Sequence, residues 1–233
     1  MDIYRIFTPE ELLKDNTYPG RGIVIGNNVA YYWIMGRSEN SRNRIFALTE
    51  DGIETRAFDE SKVADPSLII YHPVRKTADG LIVTNGDQTD TIYEGLAEGK
   101  SFKTSLETRS FEPDSPNFTP RISGILTFSK KDFSYEMSIL KSADAEGTAC
   151  NRYTFSYTAL PGLGHFIHTY VGDGSPLPTF QGEPERVKIG NDIDAFTNSL
   201  WDALNHDNRI SLFVRYTDLA TGKEEKRLIN RNA

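Results

Sequence analysis

Short runs of apolar and β-branched residues, separated by Gly, Asn and Asp, recur along most of this chain. Such runs between turn-forming residues are typical of β-strands. The triplet Gly26-Asn27-Asn28 and the pairs Asp51-Gly52 and Asp79-Gly80 tolerate positive φ, so several strands are expected to be joined as tight hairpins. The pattern predicts strands at Gly22 to Ile25, Val29 to Met35, Ile45 to Thr49, Leu68 to Val74, Leu81 to Thr84, Ile122 to Phe128, Phe133 to Ile139, Cys150 to Ala159, Phe166 to Val171 and Ile210 to Tyr216.

Helical patterns are fewer. Thr8-Pro9-Glu10-Glu11 combines a capping residue, a proline and acidic residues, which is typical of a helix start, and Thr91 to Glu98 and Asp192 to Asn205 show helical apolar spacing. Sheets covered by a few amphipathic helices predict a layered α+β fold. With no low-complexity linker, residues 1–233 are expected to form a single domain. The segments 111–120 and 172–184 are interpreted as long loops over a site.

Composition narrows the class of protein. A formal net charge of −7 argues against a general nucleic-acid binder, because such proteins spread positive charge over one face. The first residues are acidic where a signal peptide is basic, and no apolar run approaches the roughly 18 residues of a membrane helix, so a cytoplasmic protein is expected. The single cysteine, Cys150, excludes an internal disulfide and a thiolate metal cage.

Positive charge is nevertheless concentrated after the second predicted strand, in the segment Arg37-Ser38-Glu39-Asn40-Ser41-Arg42-Asn43-Arg44. Guanidinium groups bind phosphate or carboxylate as a planar fork, and Ser and Asn donate neutral hydrogen bonds, so this composition suits a small anionic ligand. Arg21, which begins the preceding predicted strand, is a further candidate for the same place. The alternative interpretation is a solvated polar hairpin loop.

Two further segments carry candidate ligand contacts. Asn85 and Asp87 lie between an apolar strand and a helix, whose first backbone N–H groups can meet ligand oxygens. A simple turn with a helix cap is the alternative there. Glu112 and Asp114 are spaced two apart before Thr119-Pro120-Arg121, which suits a general base or a hydroxyl anchor. The alternative is a solvated loop in which Arg121 forms a local salt bridge.

A tyrosine and two histidines also stand out. Tyr71 ends the predicted strand 68–74, where core packing is the simpler interpretation and proton transfer the other. His165 and His168 lie three apart, which on a strand places them on opposite faces and disfavours a metal pair. The surrounding glycine-rich segment 160–183 is interpreted as a wall of a ligand pocket.

Taken in order, the motifs YPGR, AYYWIMGRSENSRNR, IIYHPVR, VTNGDQTDTI and FEPDSPNFTPRISGI resemble the archaeal-type IMP cyclohydrolase family. The resemblance covers residues 18 to about 125 and leaves residues 1–17 as an N-terminal extension. This chain has Gly36-Arg37-Ser38 where the family usually has Ser before the Arg, and Ser41-Arg42 looks inserted before Asn43-Arg44. The family's fold is the four-layer αββα sandwich of N-terminal-nucleophile hydrolases, here expected without such a nucleophile, because Met1-Asp2 offers no Cys, Ser or Thr.

The resemblance implies closure of 5-formamidoimidazole-4-carboxamide ribonucleotide to inosine monophosphate and water, the last step of purine synthesis, without metal or cofactor. It implies a nucleotide as the small-molecule partner, and the oligomeric state stays open. By resemblance, Arg44, Tyr71 and Glu112 belong to the catalytic neighbourhood, while Arg42 has no assigned role. The side chains implied to hold phosphate, ribose or base are Arg21, Arg37, Ser38, Asn43, Asn85, Asp87, Thr119 and Arg121.

Other classes of protein are compatible with the same residues. A purine-nucleotide-binding or sensing module of the same fold would keep the pocket and lack the chemistry. An amide hydrolase of the same superfamily would use an internal nucleophile, for which Ser38 and Cys150 are the candidates. A structural protein with polar loops is the third alternative.

Overall fold

Two antiparallel β-sheets and a few short helices make up the computed structural model, which describes residues 4–26, 29–63, 70–129 and 132–232. A seven-stranded sheet consists of β3 to β9, each strand paired with the next along the chain. Those strands are β3 (Arg44–Leu48), β4 (Gly52–Ala57), β5 (Val74–Lys76), β6 (Gly80–Thr84), β7 (Arg121–Ser129), β8 (Asp132–Ser142) and β9 (Cys150–Thr158).

The strands of the second sheet come from the parts of the chain before β3 and after β9. It contains β1 (Gly22–Gly26), β2 (Val29–Met35), β10 (Leu163–His168), β11 (Glu185–Lys188), β12 (Arg209–Thr217) and β13 (Glu224–Asn230). Its spatial order is β11, β10, β1, β2, β12, β13, so β1 lies between the adjacent β2 and the distant β10. Pairing of β1 with β10 places Gly22 opposite His168.

Helices cover the outer face of each sheet. The short α1 (Pro9–Leu13) and the longer α5 (Ile193–Ala203) share a buried cluster with the six-stranded sheet. The helices α3 (Gln88–Ala97) and α4 (Phe102–Ser105) share another with the seven-stranded sheet, and α2 (Glu39–Arg42) links β2 to β3. In α1 the expected capping box is present, because Thr8 and Glu11 exchange side-chain to backbone hydrogen bonds.

A third apolar cluster lies between the two sheets and forms the main core. Alternate residues of each strand enter it, as Ile23 and Ile25 do from β1. Gly124 of β7 faces them, and a Cβ atom at this position would lie 2.3 Å from Cδ1 of Ile25. Glycine therefore allows the two sheets to approach closely at this point.

One asparagine joins the two sheets at their edge. The side chain of Asn230 in β13 accepts a hydrogen bond from the backbone N–H of Phe46 at 2.9 Å and donates one to the Phe46 carbonyl at 3.0 Å. Its Oδ1 also accepts from Ser211 Oγ at 2.7 Å. Asn230 thus satisfies backbone groups of the edge strand β3 that no neighbouring strand can reach.

The structure corrects one predicted strand. Of the predicted strand 68–74, Leu68 and Ile69 lie outside the described residues, residues 70–73 are not in a strand, and β5 begins at Val74. Pro73 has no N–H to donate to a ladder, and Tyr71 instead bonds both the backbone and the hydroxyl of Thr55. Tyr71 therefore lies on a loop that runs beside β4.

Other differences concern element ends and charged strands. Helix α3 begins at Gln88 and not at Thr91, and its N-cap residue Asp87 makes no side-chain capping bond. The predicted turn at Asn27 and Asn28 lies outside the described residues. Three strands, β4, β11 and β13, are absent from the sequence prediction because charged residues interrupt their apolar pattern. Within the described ranges, every helix is too short or too polar to span a membrane.

We expect Asn230→Ala to lower the free energy of unfolding by about 2 kcal/mol, because it leaves buried backbone groups of Phe46 without partners. Urea denaturation of the two proteins measures this difference. Asn151→Ala, at an exposed position of β9, is the matched control and should change the free energy of unfolding by less than about 0.5 kcal/mol. Equal stability of both variants would show that Asn230 does not join the sheets.

Candidate functional site

A cavity of about 450 Å³ opens at the end of the sandwich where β1, β3 and β7 begin and β2 ends. Its volume lies in the range of small-molecule pockets. Two other cavities, of about 350 Å³ each, lie beside α5 and α3 and have no arginine in their walls. The lining residues of the first cavity are Tyr18, Arg21, Arg37, Ser38, Asn40, Ser41, Arg44, Glu112, Asp114, Asn117, Thr119, Tyr170 and Leu177.

Two guanidinium groups are buried together at the base of this cavity. Arg21 immediately precedes β1 and is 9% exposed, and Arg44 opens β3 in the other sheet and is 8% exposed. Among the residues that the structure describes, the buried Nε of Arg21 has no hydrogen-bond partner. Arg21 also brings a positive charge to the wall of the cavity, which suits an anionic or strongly polar ligand.

The pKa values of these two arginines are shifted in opposite directions. Burial acts to lower the pKa of Arg21, but the negative charge of Glu112 and the nearby phenol oxygens outweigh it, so the pKa is raised. Burial, followed by the positive charge of Arg21, lowers the pKa of Arg44. Both groups stay protonated at neutral pH. Two positive charges thus face one carboxylate, which leaves the base of the cavity positive.

A pair of phenols lies beside the arginines. Tyr32 of β2 is fully buried, and its hydroxyl oxygen lies 3.0 Å from that of Tyr71, which is 7% exposed. The charges of Arg21 and Arg44 both act on Tyr32. Tyr71 does not line the cavity, but it is electrostatically coupled to Arg21 and Arg44, which do. The structure therefore brings Arg44, Tyr71 and Glu112 into one electrostatic group.

The opposite wall holds a chain of hydrogen bonds. Thr119 donates its hydroxyl proton to the Asp114 carboxylate, and its backbone N–H donates to the same carboxylate at 2.6 Å. The hydroxyl oxygens of Thr119 and Tyr170 lie 2.6 Å apart. Since the Thr119 hydroxyl proton is used in the bond to Asp114, the Tyr170 hydroxyl must donate its proton to the Thr119 oxygen. Toward a ligand, the Tyr170 oxygen can therefore only accept a hydrogen bond. The ring of Tyr18 stacks on Tyr170 with centroids 5.9 Å apart.

The mouth of the cavity is formed by residues at the start of α2. Arg37 forms an ion pair with Asp173 and donates a hydrogen bond to the Gly174 carbonyl at 3.2 Å. Its guanidinium also lies 4.9 Å from the ring centroid of Tyr18. Ser38 caps α2 by accepting from the backbone N–H of Ser41. Asp173 thus neutralises part of the charge of Arg37.

Asn43 lies outside the cavity lining. Its amide donates to the Asp59 carbonyl and accepts from the Asp59 N–H, both at 2.8 Å, and this fixes the end of α2. Arg42 similarly binds the Gly36 carbonyl and Asn208. These contacts give Arg42 a local structural role that the sequence did not suggest. The predicted ligand role of Asn43 stays a prediction.

Three other predicted ligand contacts form a separate network behind the loop 111–120. Asn85 donates to the Pro120 carbonyl at 2.8 Å and accepts from the Ile122 N–H at 2.9 Å. Arg121 binds Asp87 with an N–O distance of 2.7 Å. This network positions Thr119 at the cavity through the backbone next to it. Direct ligand contacts by Asn85, Asp87 and Arg121 remain predictions.

Several lining residues were not among those predicted to bind a ligand, namely Tyr18, Asn40, Ser41, Asp114, Asn117, Tyr170 and Leu177. Asp114 was noted in the sequence as a candidate carboxylate, and Asn40 and Ser41 belong to the charged segment already singled out. Tyr170 and Leu177 follow β10, and only the pairing of β10 with β1 brings them to this end of the fold.

The two histidines of β10 contact different neighbours. Nδ1 of His165 forms a hydrogen bond of 2.7 Å with the buried Tyr135 hydroxyl, and burial, followed by the charge of Arg186, lowers the pKa of His165 to about 4. His168 stacks on the ring of Phe166. In the part of the chain that the structure describes, no group of three or more His, Cys, Asp or Glu residues could hold a metal ion.

Comparison with known proteins gives two matches. The model of a family described as IMP cyclohydrolase-like protein matches residues 18–223. The IMP cyclohydrolase of Methanothrix thermoacetophila is 28% identical over 116 residues, which are 47% of this chain and 58% of that protein. The chain therefore aligns with a little over half of that relative. The family match includes every residue that lines the cavity.

We expect inorganic phosphate to raise the melting temperature of this protein and Arg37→Gln to remove most of that increase. A ligand at one hundred times its dissociation constant adds about 2.7 kcal/mol to the free energy of unfolding, and Arg37 supplies a cation for it at the mouth of the cavity. Thermal denaturation with and without phosphate measures the effect. Arg56→Gln, at an exposed position, controls for general salt stabilisation. Equal phosphate responses in both variants would exclude Arg37 from the anion site.

Proposed function

Because this chain belongs to the IMP cyclohydrolase-like protein family, we propose that it is an IMP cyclohydrolase. In this proposal it closes 5-formamidoimidazole-4-carboxamide ribonucleotide to inosine monophosphate with release of water. The observation that carries the proposal is that Arg21, Arg44 and Glu112 line one cavity and that Tyr71 is electrostatically coupled to both arginines. This group combines two buried positive charges, a phenol and a half-buried carboxylate.

The reaction needs two proton movements and one stabilised oxygen. The carboxamide nitrogen attacks the formyl carbon, a C–N bond forms, the nitrogen loses one proton and the formyl oxygen gains one. The resulting hydroxyl then leaves as water with the proton of the former formamide N–H, and a double bond forms between that nitrogen and the new ring carbon. Positioning of both arms, acid–base groups and a charge for the developing oxyanion therefore suffice.

The residues of this group match these needs. In our proposal Arg44 polarises a reacting carbonyl oxygen, because its guanidinium is held at low exposure and carries positive charge. Tyr71 and Glu112 exchange the protons with substrate. Burial strengthens these electrostatic effects, since fewer water molecules screen them. Arg21 stabilises the same end of the substrate from the opposite sheet.

The outer part of the cavity suits the rest of the nucleotide. Arg37, Ser38 and Ser41 supply cationic and hydroxyl groups at the mouth, where we place the phosphate. A doubly charged phosphate would compete with Asp173 for Arg37, because it offers more negative charge and more acceptor oxygens. Asp114 and the Tyr170 oxygen are acceptors on the side wall, where ribose hydroxyl groups can donate.

The arrangement of layers supports the fold that the resemblance implies. Helices α1 and α5 pack on the six-stranded sheet, α3 and α4 pack on the seven-stranded sheet, and the sheets enclose the core. We propose that this is the four-layer αββα sandwich of N-terminal-nucleophile hydrolases. The alternative hypothesis of an amide hydrolase needs Ser38 or Cys150 as its nucleophile. The structure does not favour either residue, because the Ser38 hydroxyl caps α2 and Cys150 does not line the cavity.

Purified protein should convert 5-formamidoimidazole-4-carboxamide ribonucleotide to inosine monophosphate faster than the uncatalysed reaction. The change in ultraviolet absorbance on purine formation measures the rate. Thermal shift with inosine monophosphate serves as a binding control. Binding without product formation would favour the sensing module, and product formation at only the uncatalysed rate would contradict the proposal.

Tyr71→Phe and Glu112→Gln should each lower kcat by about a hundredfold or more, because each removes a group that exchanges a proton with substrate. The affinity for inosine monophosphate should change by less than about threefold, since product binding does not need proton transfer. Steady-state kinetics and calorimetric titration measure the two quantities. Equal losses of kcat and product affinity would assign these residues to binding.

Arg37→Ala should act in the opposite way. It should raise KM and weaken binding of inosine monophosphate by about tenfold or more, while kcat stays within about threefold of the wild-type value. The physical reason is that Arg37 lies at the mouth, away from the buried group. Binding of the corresponding nucleoside, which lacks phosphate, should be equal in the variant and the wild type. A weaker nucleoside complex in the variant would contradict a phosphate role.

A further inference from the structure

The hydrogen bond between Tyr32 and Tyr71 joins a core residue to the proposed catalytic group. Its oxygen–oxygen distance of 3.0 Å does not by itself say which hydroxyl is the donor. Tyr32 belongs to β2, its ring stacks on Phe46, and its exposed fraction is 0%. Tyr71 lies on the loop beside β4 and retains 7% exposure. The two phenols therefore differ in their access to a ligand.

Counting protons decides the direction. Among the residues that the structure describes, the Tyr32 hydroxyl has Tyr71 as its one hydrogen-bond partner. If Tyr71 donated, the proton of Tyr32 would be buried without an acceptor, which folded proteins rarely accept. If Tyr32 donates, its own proton is used, and Tyr71, which keeps 7% exposure, can offer its proton to water or to a ligand. The second arrangement is therefore the stable one.

The charges around the pair favour the same direction. Burial, followed by negative charge on Tyr71, raises the pKa of Tyr32 well above its usual range, so Tyr32 keeps its proton and can donate it. The charged groups that act on Tyr32 are Arg21 before β1 and Arg44 on β3, and Glu112 in the loop 111–120 acts in turn on both arginines. Both guanidinium groups attract negative charge on the Tyr71 oxygen.

We propose that Tyr32 is a positioning residue that donates its hydroxyl proton to Tyr71 and thereby makes Tyr71 the proton donor to the formyl oxygen. This inference deepens the proposed function and rests on it. It divides the two proton-transfer roles, because Glu112 then accepts the proton that the carboxamide nitrogen loses. A carboxylate can only accept, which agrees with this division.

The proton balance closes over both stages of the reaction. In ring closure, the Tyr71 O–H bond breaks as the formyl oxygen gains a proton, and the electron pair stays on the Tyr71 oxygen beside the Tyr32 donor. Glu112 gains the carboxamide proton. In water loss, Glu112 returns its proton to the leaving hydroxyl, and Tyr71 regains one from the former formamide nitrogen. Both side chains end as they began, and one water molecule is released.

Tyr32→Phe tests the role and retains the buried ring. We expect kcat to fall about ten- to a hundredfold, KM to stay within about twofold, and the alkaline limb of kcat against pH to move to higher pH, because negative charge on Tyr71 loses its donor. Tyr135→Phe is the matched control, since Tyr135 is equally buried and bonds His165 instead. A Tyr32→Phe profile that equals that of Tyr135→Phe overturns the inference.

A second measurement does not depend on turnover. Tyrosine labelled with ¹³C at Cζ reports loss of each phenol proton by NMR, and the Tyr71 signal is identified by its absence in Tyr71→Phe. We expect Tyr71 to lose its proton at higher pH in Tyr32→Phe than in the wild type. An unchanged midpoint overturns the inference. A shifted midpoint in a protein that forms no inosine monophosphate would support the hydrogen-bond direction and contradict the proposed function separately.

Discussion

The repulsion between two buried guanidinium groups is the constraint on which this end of the molecule depends. Arg21 and Arg44 come from different sheets and reach the same poorly solvated place. Burying one charge is costly, and burying a like charge beside it costs more. Glu112 offsets part of this repulsion, and the phenol oxygens of Tyr32 and Tyr71 add dipoles. The remaining positive charge makes the cavity selective for electron-rich groups.

The site residues lie on strands and on loops. Arg44 and Tyr32 are on strands, and Arg21 is next to one, so packing of the core between the sheets fixes their positions. Tyr71 and Glu112 are on loops, where hydrogen bonds hold them, from the Tyr71 N–H to the Thr55 hydroxyl and from the Glu112 N–H to the Thr119 carbonyl. The proposed catalytic groups are thus positioned both by sheet packing and by hydrogen bonds within loops.

Local sequence pattern predicts most of the strands, because alternation and turn residues are properties of short segments. It misses β13, where charged residues obscure the apolar alternation of an edge strand. Among site residues, Arg21, Arg37, Ser38, Arg44, Glu112 and Thr119 do line one cavity. Asn85 instead binds the Pro120 carbonyl, and Arg121 forms an ion pair with Asp87. Residue type alone does not reveal which polar partner a side chain will have in the fold. Tyr170 depends on strand pairing over a long sequence distance.

The strand order has a consequence for the path of folding. The seven-stranded sheet follows chain order from β3 to β9, so neighbouring segments can pair early as successive hairpins. Completion of the six-stranded sheet requires β10 to reach β1, and this closes a loop that contains the whole other sheet. Arg21 and Arg44 belong to different sheets, so both can be buried together only when the two sheets have docked. We therefore expect the electrostatic cost of the site to fall on sheet docking and not on formation of the individual hairpins.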